Sequence, residues 1–79
     1  MWYVYLLQSE TGPHRYTGLT TDLKARFTDH NAGKSAHTSK YRPWRLVTYI
    51  GFSDKNRAAE FERYLKSGSG HAFAKRHLW

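Results

Sequence analysis

At 79 residues the chain has the length of one domain and leaves no room for a second. It has no cysteine, which excludes disulfide staples and thiolate metal sites, and no apolar run long enough to span a membrane. Thirteen Lys and Arg against six Asp and Glu give a formal charge of +7, which at this size points to a polyanionic partner.

Residues 2–8, Trp–Tyr–Val–Tyr–Leu–Leu–Gln, are aromatic, β-branched and aliphatic over a short run, the signature of a buried strand. Trp2, Val4 and Leu6 point one way and Tyr3, Tyr5 and Leu7 the other. Met1 precedes this run with no basic leader and no small-residue cleavage site follows it, so it does not read as a signal peptide, and a cytoplasmic location is the default expectation. Ser9–Glu10–Thr11–Gly12–Pro13 is turn chemistry, and Arg15–Leu19 returns as a second strand. A turn centred near Glu10–Thr11 sets Tyr5 opposite Tyr16. Thr21 reads as the cap of a helix that runs to about Ala32, with Asp22 in its first turn and Gly33 as its stop.

Lys34–Arg42 is polar, basic and aperiodic, and reads as a mobile loop ended by Pro43. Trp44–Phe52 is a third strand, which completes the smallest sheet that stands on its own. Ser53 or Asp54 caps a second helix from about Lys55 to Lys66, with Ala58, Phe61 and Leu65 inward. Ser67–Gly68–Ser69–Gly70 breaks that helix, and Ser69 caps a short last one. The expected fold is α+β: a three-stranded, mainly antiparallel sheet flanked by helices in the order β-β-α-β-α-α, one domain over residues 1–79.

Two charges fall on inward faces. Arg26 and His30 share the helix stripe of Leu23 and Phe27, and Glu62 lies on the stripe of Ala58 and Leu65. An inward guanidinium needs an anion. Either Arg26 and Glu62 form a buried ion pair, or they line an open site in which Glu62 holds a divalent cation and Arg26 grips a phosphate. Tyr5, Tyr16 and His30 supply proton-transfer groups beside them.

The positive charge is uneven. Residues 1–12 carry one acid and no Lys or Arg, whereas seven basic residues and two acids fall between Arg15 and Arg45. Tyr, Trp and His are interleaved there, which favours nucleic acid over a membrane surface. Lys24, Lys34, Lys40 and Arg42 are the candidate phosphate contacts. The remaining histidines have no metal-ligand spacing, and Lys66–Gly70 lacks a phosphate-loop ending, so neither zinc nor a small-molecule cofactor is expected. Trp2, Trp44 and Trp79 read as packing residues, with Trp44 the one candidate base-stacking platform.

Tyr3–Val4–Tyr5, then Tyr16–Thr17–Gly18, then Arg26, His30–Asn31 and Glu62 form an ordered set that resembles the GIY-YIG nuclease superfamily over about residues 2–70. The first Gly of the name motif is Tyr3 here and its second Ile is Thr17; both tyrosines and Gly18 are kept. The resemblance implies hydrolysis of DNA phosphodiester bonds with one Mg²⁺ or Mn²⁺, in DNA repair or recombination. It implies that Glu62 anchors the metal and Arg26 stabilises the phosphoryl oxygens. Tyr5 or Tyr16 deprotonates water, and His30 orients phosphate or water or relays the proton. No separate DNA-binding domain fits in the chain. Target choice then rests on no specificity, on a partner protein, or on DNA structure. The competing expectation is a weak or inactive nucleic-acid-binding module, or an adaptor of a repair complex.

Overall fold

The central strand of the sheet is the first one in the chain. In the computed structural model, which describes residues 1–79, β1 (Trp2–Ser9) lies between β2 (Arg15–Thr20) and β3 (Trp44–Phe52), antiparallel to both. Helix α1 (Leu23–Asn31) follows β2, a 3-10 turn (Ser39–Tyr41) precedes β3, and α2 (Lys55–Leu65) and α3 (Gly68–His77) close the chain. The α+β class and the order β-β-α-β-α-α are as the sequence predicts.

A central strand is covered on both faces, and β1 alternates accordingly. Val4 and Leu6 pack with Ala58, Leu65 and Ala74 beneath α2 and α3. Tyr5 and Leu7 pack with Trp44, and Leu23 and Phe27 of α1 close over them. Each large apolar side chain buried here contributes about 1.5–3 kcal/mol, and these two small clusters are the whole core.

β3 serves both clusters through one irregularity. Trp44 and Leu46 oppose Ser9 and Leu7, while Thr48, Ile50 and Phe52 oppose Leu6, Val4 and Trp2. These even-numbered residues would all share a face in a regular strand. The register shift opposite Leu6 and Leu7 leaves Val47 as an extra residue and moves the even positions to the other face, as a β-bulge does.

Three local expectations are corrected. The β1–β2 pairing centres one residue later than expected, so Tyr5 faces Gly18 and Leu7 faces Tyr16. The longer turn is held by Ser9 N–H donating to His14 O and by the Gln8 amide donating to Gly12 O and His14 O. Asp22 rather than Thr21 caps α1, accepting from Ala25 N–H, and its own N–H donates to the Thr20 hydroxyl. Ser67 rather than Ser69 caps α3, accepting from Gly70 N–H, and the Gly–Ser run is the first turn of that helix. A side chain at Gly70 would collide with Tyr64 O, so this weak helix former is what lets α3 dock against the end of α2.

Residues 34–42 do not form a free loop. Gly33, at φ +78°, turns the chain after α1 as expected. Asn31 then bonds Trp44 through both its amide atoms, donating to O at 3.1 Å and accepting N–H at 2.6 Å. Trp44 is buried and donates its indole N–H to Thr38 O at 3.0 Å, which removes it as a stacking platform.

Candidate active site

Three elements bring four of the expected residues together on the α1 side of the sheet. Tyr5 comes from β1, Tyr16 from the edge strand β2, and Arg26 and His30 from successive turns of α1. The Tyr5 and Tyr16 rings are 6.1 Å apart, and the His30 ring lies 5.8 and 4.9 Å from them. Gly18 makes the arrangement fit. It pairs with Tyr5 across the ladder, and any Cβ at that position would enter the Tyr5 ring and hydroxyl.

His30 is wholly buried, and both its ring nitrogens are engaged. Nε2 lies 2.9 Å from Tyr5 Oη and Nδ1 lies 2.8 Å from Thr38 Oγ1. The Arg26 guanidinium faces the Tyr5 hydroxyl, and this contact raises the pKa of Arg26. Thr38 Oγ1 has its own proton turned to Ser35 O at 3.5 Å, so it accepts from His30 Nδ1–H, and Nε2 is left to accept the Tyr5 hydroxyl proton. Burial, then the Arg26 charge, lowers the His30 pKa and keeps the ring neutral, while burial raises the pKa of Tyr5.

Sequence reasoning missed Thr38, since nothing in an aperiodic basic stretch marks one threonine as 1% exposed. His30, held behind Tyr5 in this way, has no surface left to touch a phosphate or a water.

Arg26 and Glu62 are not a buried ion pair. The three ion pairs of the molecule are Lys34–Asp29, Arg45–Glu10 and Lys66–Glu62, the last at 3.2 Å across one turn of α2. Nor does any cleft hold both, because α1 and α2 cover opposite faces of the sheet. Arg26 is half-buried with no carboxylate in contact, and Glu62 is half-buried with one oxygen turned to Lys66.

What joins the two sides is a cleft of about 430 Å³ along the free edge of β2, lined by Tyr16 on one wall and Lys66 on the other. Lys24, Lys34, Lys40 and Arg42 are exposed, and none of them lines it. Lys34 pairs with Asp29, and Arg42 donates to Ser39 O while its guanidinium lies against Gly33. The basic residues of the cleft are Arg15, Lys66 and Lys75 instead, and no periodicity marks them.

No three His, Asp or Glu side chains gather anywhere into a metal cage. Glu62 is the carboxylate that the resemblance assigns to a metal, and its Oε2 lies 3.2 Å from Lys66 Nζ. Mg²⁺ commonly takes one or two carboxylates and fills its remaining positions with water and substrate phosphate oxygens, so the donor set fits such an ion.

Comparison with known proteins identifies the family of this chain. The family described as the GIY-YIG catalytic domain matches residues 1–76. A UPF0213 protein of Cupriavidus pinatubonensis is 44% identical over 77% of this chain and 68% of its own length. One from Lacticaseibacillus paracasei is 39% identical over 89% of this chain and 79% of its own. The solution structure of a UPF0213 protein from Bacillus halodurans superposes with a TM-score of 0.57 at 35% identity, covering 95% of this chain and 81% of that one. With two name-motif tyrosines, Gly18 and Arg26 on one framework, the chain belongs to the GIY-YIG family.

Proposed function

We propose that the protein is a metal-dependent endonuclease that hydrolyses DNA phosphodiester bonds, of use in DNA repair or recombination. The observation that carries this reading is the half-buried Arg26 guanidinium, set among Tyr5, Tyr16 and His30 with no carboxylate of its own chain against it. A cation held in this way is short of an anion, and a phosphate supplies one.

A water oxygen attacks phosphorus, the bond to the 3′ oxygen breaks, and the water loses a proton. Tyr16 Oη takes that proton as its own phenolic proton passes to solvent, and the leaving 3′ oxygen takes a proton from solvent; Tyr16 has this role because it reaches the cleft while Tyr5 is buried with its own proton committed to His30. Arg26 stabilises the charge that grows on the phosphoryl oxygens, a contribution on the order of 3 kcal/mol for one preorganised donor group. Tyr5 and His30, bonded to each other beside Arg26, are positioning residues. Glu62, on the opposite layer from Arg26, would hold a divalent cation, and that ion would supply Lewis-acid polarisation to a phosphate spanning the edge of β2.

The test incubates purified protein with supercoiled plasmid, branched DNA and single strands, with and without Mn²⁺. Cleavage by the wild type, lost in Arg26→Ala and in Glu62→Ala while both variants stay folded by circular dichroism, is the expected result. Tight, salt-sensitive binding with no cut in any substrate would replace the enzyme with a binding module. Full activity in Glu62→Ala would remove that carboxylate from the reaction.

A further inference from the structure

Tyr16 stands at the junction of two neighbouring clefts. The larger, about 430 Å³, runs between β2 and α3; the smaller, about 210 Å³, runs toward Tyr41 and Trp44. Arg15, Tyr16 and His37 line both, so the two form one track along the free edge of β2.

The track is basic. Arg15, Lys66 and Lys75 line the larger cleft with His37 and His71, and no Asp or Glu does. Arg15 is also held in place. Its Nε donates to Gln8 Oε1 at 2.9 Å, and its guanidinium lies 4.6 Å from the centre of the Trp79 ring. A cation fixed on both sides loses little freedom on meeting a phosphate.

We propose that one nucleic-acid strand lies in this track, passing from α3 across Tyr16 toward Tyr41, with Arg15 and Lys75 on its phosphates. This rests on the nuclease reading and deepens it, because it makes α3 the element that seats the strand. A slot walled by a sheet edge and a helix suits a single backbone, which presents its phosphates one after another.

The experiment measures binding of a fluorescein-labelled single-stranded oligodeoxynucleotide by anisotropy from 0.05 to 0.3 M salt. The variants are Lys75→Ala and Arg15→Gln, with Arg57→Ala on the far side of α2 as a charge-matched control. Each track variant should lower the salt slope by about 0.7, a loss of roughly 5-fold in affinity at 0.1 M salt, and the pair together about 25-fold. Arg57→Ala should stay within about twofold of the wild type. Wild-type binding that is indifferent to both track variants, or that falls equally in Arg57→Ala, overturns the track and leaves the nuclease reading standing. A wild type that binds no oligonucleotide at all, single-stranded or duplex, overturns the reading beneath it.

Discussion

Replacing Thr38 with Val tests the buried chain of hydrogen bonds behind the site. Valine has nearly the shape of threonine and no acceptor. Thr38 is 1% exposed and its Oγ1 lies 2.8 Å from His30 Nδ1, so no water can take the hydroxyl's place. A buried N–H left without a partner costs about 1–3 kcal/mol. Thr38→Ser keeps the hydroxyl and loses one methyl group, which costs about 1 kcal/mol. A domain of this size has roughly 4–12 kcal/mol in all. Thr38→Val should therefore lower the melting temperature by roughly 8–16 °C, for a loss of about 2 kcal/mol, and Thr38→Ser by about half as much.

Thermal unfolding followed by circular dichroism measures the difference. Long-range proton–nitrogen spectra of the imidazole report which nitrogen carries the proton, Nδ1 in the wild type and in Thr38→Ser. Equal stability of Thr38→Val and wild type, or a larger loss in the serine variant, would show that the hydroxyl does not hold His30.

Three further outcomes follow from the same geometry. Gly18→Ala drives a methyl group into the Tyr5 ring, so it should cost about 1–3 kcal/mol in the urea midpoint and weaken the Tyr5–His30 contact; an unchanged midpoint would refute the close approach. His30 has a lowered pKa in the folded state, so below the ordinary value near 6.5 the unfolded chain binds a proton that the native one refuses. Stability then falls with pH below that point, by at most about 1.4 kcal/mol per unit, and His30→Phe should flatten this slope in denaturant titrations at pH 5 to 7.5. Tyr5 has a raised pKa, so the unfolded chain ionises first and stability is lost as pH rises past about 10; ultraviolet titration should find one late tyrosine that is missing in Tyr5→Phe.

Much of this molecule is written in local sequence. β1 alternates between two apolar faces because a central strand must fill both, and residues 2–8 show that pattern without help from the rest of the chain. The helices carry their caps and stripes on neighbouring residues, and Tyr5, Tyr16, Arg26 and Glu62 are legible as a spaced set. Tertiary structure decided what no spacing encodes. It turned the basic stretch at 34–42 inward at Thr38, where the buried His30 Nδ1 finds its partner. It set Arg26 and Glu62 on opposite layers, since two helices with inward stripes can cover either face of one sheet. The cleft belongs to structure as well: Arg15 and Lys75 are 60 residues apart in the chain and meet only because α3 folds back beside the open edge of β2.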